Sequence, residues 1–212
     1  MSDLQSITKT LIAGDSDTLN KLVQQALDGG ISADDILQKG LIGGMDIVGE
    51  KMESGDMFIP EVLMAGRAMA IAIEIIQPLL AEGQAAAAGK VVIGTVKGDL
   101  HDIGKNLVVL MIKSAGFDVI DLGVDVESEV FVEAIRENKP DIVGLSALLT
   151  TTMPMMKQAI ESIEESGLRK GLKIIIGGAP VSQAYADEIG ADAYAPDAGS
   201  ASKMAKAMCA VD

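Results

Sequence analysis

The spacing of apolar residues is helical through the first 82 positions of the chain. It predicts four helices, at residues 3–13, 16–27, 33–53 and 61–80. Ser32 with Asp35 resembles a capping box at the start of the third helix, and Pro60 suits the first position of the fourth. Short connections between the four helices predict a small antiparallel bundle.

The period changes near residue 90, where β-rich runs begin to alternate with helical ones. Strands are predicted at 90–96, 118–122, 141–145, 172–176 and 192–194. Helices are predicted at 103–115, 127–138, 152–166 and 182–189, and a last helix follows the fifth strand and ends at about Met208. Five short βα units predict a parallel sheet covered on both faces. We therefore expect an α/β flavodoxin-like doubly wound domain with strand order 2-1-3-4-5.

The two regions are separated by small, uncharged residues, Gly-Gln-Ala-Ala-Ala-Ala-Gly, at 83–89. We expect a helical cap domain at 1–82, a linker at 83–89 and a Rossmann-like domain at 90–212.

Charge and composition narrow the classes of function. The net charge of −14 disfavours nucleic acid as a partner, because such a surface repels phosphates. The single cysteine excludes a disulfide framework. The N-terminus lacks the pattern of a signal peptide, and charged and proline residues interrupt the longest apolar stretch, at 71–80. We therefore expect a cytoplasmic protein that does not cross a membrane.

The strand order predicts where a ligand binds. In open parallel sheets the site lies beyond the carboxyl ends of the strands, where the strand order reverses. Here the loops at 97–104, 146–152 and 177–180 meet that edge, and the first contains the only histidine of the chain, His101. The first loop lacks the glycine pattern that binds a dinucleotide, and its spacing differs from that of a P-loop by one residue. The third predicted strand, at 141–145, is not followed by the acidic residue that a phospho-acceptor domain needs.

Asp99-x-His101 fits a metal-ligating histidine whose second ring nitrogen donates to a carboxylate. One histidine without further His or Cys is a poor zinc site, but it suits a metal whose other ligands come from a macrocycle. A solvated or capping histidine and a conventional metal site stay open as alternatives at this point.

The run from Gly98 to Asn106, GDLHDIGKN, resembles the D-x-H-x-x-G signature of cobalamin-binding domains. Ser146-Ala147-Leu148 resembles the S-x-L motif of that family, and Gly177-Gly178 resembles its G-G motif. The N-terminal helices, with GDMFIPEVL at 55–63, are similar to the cap of methyl-transferring corrinoid proteins. The chain is most similar to the corrinoid proteins of trimethylamine, methylamine and methanol methyltransferase systems, and it also resembles the cobalamin module of methionine synthase.

The resemblance implies a base-off cobalamin with His101 as the lower cobalt ligand and Asp99 on its other nitrogen, with Ser146 extending that relay. It implies no catalytic residue in this chain. The implied cofactor contacts are Phe58, Asp99, Leu100, His101, Asp102, Ile103, Gly104, Ser146, Leu148, Thr150, Thr152, Gly177, Gly178 and Tyr194. Packing of Phe58 in the core, edge packing of Tyr194, a plain βα turn at Gly177-Gly178 and helix capping at 150–152 remain alternatives.

The function implied by the resemblance is a methyl carrier. Cobalt accepts a methyl group from a substrate-specific methyltransferase, and a second methyltransferase passes it to coenzyme M or tetrahydrofolate. A reductive activase is a further implied partner, and the linker is the natural hinge for cap movement. Two alternatives stay open: the small cobalamin subunit of a radical mutase, which needs no helical cap, and a cobalamin-dependent sensor.

Overall fold

The computed structural model of the chain describes residues 4–80 and 88–209. Their contacts divide the chain into two units, one of residues 1–86 with 114–116 and one of residues 87–113 with 117–212. The predicted linker at 83–89 lies mostly outside the described residues. None of the described helices combines the length and apolar character needed to cross a membrane.

The first unit is helical. Its elements are α1 (Leu4–Ile12), α2 (Ser16–Asp28), α3 (Ala33–Asp35), a π-helix (Ile36–Ile42), α4 (Gly43–Ser54), α5 (Ile59–Ile76) and a closing 3₁₀ turn (Gln77–Leu79). The four predicted helical regions are confirmed, but a π-helical segment widens the middle of the third. The core side chains follow the predicted apolar spacing: Ile7, Leu11, Leu19, Val23, Ile36, Leu41, Val48, Met69 and Ile76.

Side-chain caps set the starts of these helices. Asp15 accepts a hydrogen bond from the Thr18 amide at 3.1 Å, and Ser32 accepts one from the Asp35 amide at 3.1 Å. The Asp35 carboxylate lies 2.6 Å from Lys39 Nζ, so it forms an ion pair within the helix and only the first half of the predicted capping box is made.

The second unit is a five-stranded parallel sheet in the order β2-β1-β3-β4-β5 with helices between the strands. The elements are β1 (Lys90–Thr95), α6 (Ile103–Ser114), β2 (Asp118–Asp121), α7 (Ser128–Asn138), β3 (Ile142–Ser146), α8 (Met153–Glu165), β4 (Lys173–Gly177), α9 (Gln183–Ile189), β5 (Ala193–Ala195) and α10 (Ala198–Cys209). The predicted fold class and strand order are confirmed.

The central strands are almost wholly buried, as expected for a sheet covered on both faces. Their register places four strand ends in one row across the sheet: Thr95 beside Ser146, Ser146 beside Gly177 and Gly177 beside Ala195. The loops that follow β1, β3 and β4 therefore leave the sheet at one edge.

Candidate functional site

A buried carboxylate, Asp99, lies at the centre of this edge. It follows β1 and its side chain is fully buried. Oδ1 accepts hydrogen bonds from the His101 amide at 3.1 Å and from His101 Nδ1 at 2.7 Å. Oδ2 accepts from Thr152 Oγ1 at 2.6 Å and from the amides of Leu148 and Leu149 at 2.7 and 3.3 Å.

These hydrogen bonds keep Asp99 ionised. Burial by itself raises the pKa of the carboxyl, because it penalises the charged form. The hydrogen bonds from Thr152, from the Leu148 amide and from His101 outweigh burial, so the pKa of Asp99 lies well below its usual range. The β1 and β3 loops are thereby joined through one anion.

The His101 imidazole is oriented by that anion. An ionised Asp99 accepts a hydrogen bond from Nδ1–H, so in this tautomer the free electron pair of the imidazole lies on Nε2. The backbone is fixed as well, since the buried Thr95 hydroxyl donates to the His101 carbonyl at 3.0 Å. The side chain is half exposed, which leaves a nitrogen ligand available to a bound group.

The loops around His101 expose apolar side chains. Leu100 and Ile103 are 71% and 74% exposed, and Leu148 and Leu149 across the edge are about 40% exposed. A β-carbon added at Gly104, in the first turn of α6, would meet nothing within 4 Å. This edge therefore offers an open apolar surface beside one imidazole nitrogen that could ligate a metal.

Thr152 is the third member of the Asp99 relay. It stands at the N-cap position of α8 but makes no side-chain capping bond, and its hydroxyl donates to Asp99 Oδ2. The capping interpretation is wrong for Thr152. We expected Ser146 to extend the relay. Among the described residues, however, Asp99 accepts a hydrogen bond from Thr152 and none from Ser146.

The two glycines of the G-G motif lie at the carboxyl end of β4, at the same edge of the sheet. A β-carbon at Gly178 would lie 1.8 Å from the Ala147 carbonyl oxygen, and its φ of +136° disfavours side chains in any case. Gly178 thus lets the β3 and β4 loops approach each other closely. Gly177 pairs with Ser146, and the Ala147 amide donates to the Gly177 carbonyl at 3.2 Å.

The other predicted contacts lie in different surroundings. Asp102 and Thr150 are exposed on the β1 and β3 loops, and Asp102 accepts from Asn106 Nδ2 at 3.0 Å. Tyr194, in β5, is half-buried and packs against the sheet core. Phe58 belongs to the helical unit, where it is 69% exposed at the N-cap of α5. Core packing is therefore the wrong interpretation for Phe58.

Two polar groups at this edge escaped the sequence analysis. Lys105 is buried, and its Nζ donates to both Asp121 oxygens at 2.6 and 2.7 Å and to Asn106 Oδ1 at 2.8 Å. Asp125 accepts from the Gly98 amide at 2.7 Å. The signal for Lys105 was a lysine in the first turn of a predicted helix that covers the sheet, whereas Asp125 gave no signal. Within residues 4–80 and 88–209, no three His, Cys, Asp or Glu side chains are grouped to hold a metal.

Comparison with known families gives two matches that together span most of the chain. Both family models describe a B12-binding domain, one matching residues 89–203 and the other residues 4–77. A dimethylamine corrinoid protein of Methanosarcina acetivorans is 45% identical, covering 98% of this chain and 97% of that protein. The chain belongs to the corrinoid protein family.

Solved structures agree with this membership. A cobalamin-binding protein from Desulfitobacterium hafniense superposes with a TM-score of 0.84 at 34% identity, covering 97% of this chain and 98% of its own. A chain of the methanol:cobalamin methyltransferase complex from Methanosarcina barkeri superposes with a TM-score of 0.85 at 30% identity, covering 97% and 79%. The resemblance stated from the sequence motifs is confirmed.

The residues of the site fit the cofactor of this family. A corrin ring brings four nitrogen ligands for its cobalt, so a protein that held it through the metal would supply one further nitrogen and an apolar surface. The free Nε2 of His101 and the exposed Leu100, Ile103, Leu148 and Leu149 meet both needs. The open space beside Gly104 leaves room for a bulky group.

Proposed function

We propose that this corrinoid protein carries methyl groups between two methyltransferases. The observation that supports it most directly is the His101 imidazole, held by a buried anion with its second nitrogen available within an apolar surface. The relatives named for dimethylamine and for methanol:cobalamin methyltransferase support the methyl-transfer setting.

In this proposal the cofactor is base-off cobalamin, and His101 is the lower ligand of its cobalt. When bound, the cobalamin supplies a nucleophilic metal that accepts and releases a methyl group. Asp99 holds the His101 ring in one tautomer and one orientation, and Thr152 holds Asp99 in turn. The protein thus sets how strongly the ring nitrogen donates to the metal.

The remaining contacts are assigned by their place at the edge of the sheet. Leu100, Ile103 and Leu148 offer apolar surface to the ring, and Gly104 leaves space for it. The tail of the cofactor is assigned to the side lined by Ser146, Thr150, Gly177, Gly178 and Tyr194. Asp102, next to His101 in the loop at 97–104, is assigned as a further contact of the cofactor. The exposed Phe58, with Met64 also exposed in α5, supports a covering role for the helical unit, whereas Val62 and Met69 are buried in its core.

The donor class that we propose is a methylated amine, because the dimethylamine relative matches nearly the whole chain. The partners are a substrate:corrinoid methyltransferase, a methyltransferase that delivers to coenzyme M or tetrahydrofolate, and a reductive activase. We propose the domain division 1–82 and 90–212, with 83–89 as the hinge.

The test compares wild-type protein with His101→Ala after incubation with hydroxocobalamin and removal of free cofactor. We expect both to keep the fold, and the wild type to retain about one cobalamin per chain. In the Co(II) form, an axial nitrogen splits the electron paramagnetic resonance lines into triplets. The triplets should come from His101 and disappear in His101→Ala.

A colourless wild-type protein, or triplets that survive in His101→Ala, would refute the ligand assignment. Retention of adenosylcobalamin but not of hydroxocobalamin or methylcobalamin would instead favour a mutase subunit. Methyl transfer from dimethylamine, assayed with a dimethylamine-specific methyltransferase and methanol as the control donor, tests the donor class.

A further inference from the structure

The connection that follows β2 runs alongside the loop that carries Asp99. The Thr95 amide donates to the Gly123 carbonyl at 3.0 Å, and the Val126 amide donates to the Thr95 carbonyl at 3.0 Å. Val96 and Val126 add a parallel bridge just beyond the end of β1. The segment at 122–127 therefore extends the pairing of β1 and β2 up to the start of the site loop.

Asp125 joins this segment to the site loop through two hydrogen bonds. Its carboxylate accepts from the Gly98 amide at 2.7 Å, and its own amide donates to the Asp99 carbonyl at 3.0 Å. The two bonds hold the peptide units at 97–98 and 99–100, which lie before and after the Gly98–Asp99 peptide unit. Asp125 consequently fixes the backbone on both sides of the Gly98–Asp99 peptide unit.

The backbone of Asp125 has an unusual conformation that makes this bridge possible. Its φ is +55°, and in the described part of the chain only Lys139 shares a positive φ among residues other than glycine. A left-handed conformation is unfavourable for most residues and less so for Asp or Asn. Asp125 keeps this unfavourable conformation, and it is also the residue of the segment that bonds to the site loop through both its main chain and its side chain.

A lysine balances the charge of the bridge. Lys97 Nζ lies 3.7 Å from Asp125 Oδ1 and 2.5 Å from Glu127 Oε1. The ammonium group offsets the repulsion between these two carboxylates, all three groups being close to half exposed.

The loop is thus held from two sides. On the β3 side Leu148, Leu149 and Thr152 bind the Asp99 carboxylate, and on the β2 side Asp125 binds the main chain at 98–99. We propose that Asp125 is a positioning residue for His101: by holding the peptide units around Asp99 it fixes the direction in which the imidazole presents Nε2. This inference rests on the proposed ligand role of His101 and adds a residue to it.

The experiment compares Asp125→Gly, Asp125→Asn and the matched control Glu129→Gln. Asp125→Gly removes the carboxylate without left-handed strain, so it separates the hydrogen bond from the backbone conformation. Asp125→Asn keeps an oxygen acceptor and tolerates the left-handed conformation. Glu129 is an exposed carboxylate in the first turn of α7, and changing it alters the charge of the same region only.

Two measurements are made on full-length protein. In cofactor-free protein, exchange of the Gly98 amide proton should accelerate about tenfold in Asp125→Gly, as for loss of a charge-assisted hydrogen bond, and less in Asp125→Asn. In protein loaded with Co(II) cobalamin, the intensity of the axial-nitrogen triplet should fall in Asp125→Gly, recover in Asp125→Asn and stay unchanged in Glu129→Gln. Cofactor content and the circular dichroism spectrum should match the wild type.

Full triplet intensity in Asp125→Gly would overturn the proposal, and so would unchanged exchange of the Gly98 amide. His101→Ala is included to separate the two ideas. If the triplet survives in His101→Ala, the ligand assignment itself has failed. If it is lost in His101→Ala but complete in Asp125→Gly, only the positioning role has failed.

Discussion

At the scale of single residues, the Asp99 carboxylate brings together groups that are about 50 residues apart in sequence. A buried carboxylate is tolerated only where hydrogen bonds replace the water it has lost. Here three donors come from the β3 side and two from His101. Each donor therefore supports both the stability of the unit and the orientation of the imidazole.

Removing the Thr152 hydroxyl should destabilise the α/β unit. Thr152→Val keeps the shape but takes one donor from the buried anion, which we expect to lower the free energy of unfolding by about 2 kcal/mol. Both tyrosines, Tyr185 and Tyr194, belong to this unit and the chain has no tryptophan, so tyrosine fluorescence in urea follows this unit. The exposed neighbour serves as control: Thr151→Val should stay within about 0.5 kcal/mol of wild type.

Substitution of Gly178 should lower the free energy of unfolding by more than its backbone conformation alone explains. Gly178→Ala adds a carbon 1.8 Å from the Ala147 carbonyl oxygen, so the two loops must separate, at a cost of about 3 kcal/mol or more. Gly171 also has a positive φ, of +82°, but has open space around it, and Gly171→Ala should cost only about 1 kcal/mol. Equal losses of stability in the two variants would show that the close approach is unimportant.

The sequence predicted the Asp99–His101 pair because a one-residue spacing on a loop allows direct contact. It did not predict the partners of Asp99 beyond His101. Thr152 was expected to cap a helix or contact the cofactor, and Asp125 was not considered. Both bonds join segments that are distant in the chain, and no local pattern encodes which of several nearby hydroxyl or carboxyl groups will be in reach.

At the scale of elements, the strands were predicted to within one or two residues because buried parallel strands are short apolar runs between turn residues. The π-helix at Ile36–Ile42 was not predicted, since seven residues of wider helix hardly change the apolar spacing. The Thr8 hydroxyl of α1 lies 3.1 Å from the Gly40 carbonyl oxygen in that segment, a contact between segments that the local sequence does not encode.

The junction of β4 and β5 depends on one carboxylate. Asp192 precedes β5, and its Oδ2 accepts from the Ile174 amide at 2.8 Å and from Arg169 at 2.7 Å. Lys173 Nζ lies 3.3 Å from the other oxygen, Oδ1. Burial raises the pKa of Asp192, but these donors outweigh burial and the pKa lies below its ordinary value of 3.8.

Asp192→Asn should therefore weaken the sheet edge in a pH-dependent way. The stabilisation from a carboxylate with a lowered pKa is complete above 3.8 and is lost as the pH falls through its folded value. We expect the variant to be less stable by about 1.5 kcal/mol at neutral pH, with the difference shrinking toward about pH 3. Urea unfolding of both proteins across that range is the measurement, with the exposed Glu164→Gln as control. A difference that did not vary with pH would contradict the ionic account.

At the scale of the whole molecule, the net charge of −14 is carried by 31 acidic against 17 basic residues. Several ion pairs, such as Lys39–Asp35 and Lys157–Glu161, are exposed and contribute little. Repulsion among the unpaired carboxylates therefore opposes folding at low salt.

Added salt should stabilise this chain. Raising NaCl from about 0.05 M to about 0.5 M screens the repulsion, and we expect the thermal midpoint to rise by about 3 °C. The increase should shrink near about pH 4.5, where carboxylates begin to take up protons. A fall in the midpoint with salt at neutral pH would mean that ion pairs outweigh the repulsion.

The separation of the two halves of the Asp99 site along the chain also bears on synthesis. Asp99 and His101 leave the ribosome about 50 residues before Thr152, and β1 has only β2 to pair with until β3 follows. A nascent chain that ends before β3 has the histidine but lacks the Leu148, Leu149 and Thr152 donors that hold Asp99. In the proposed function, a site able to orient the histidine is therefore complete only after the third strand and the residues up to Thr152 have been translated.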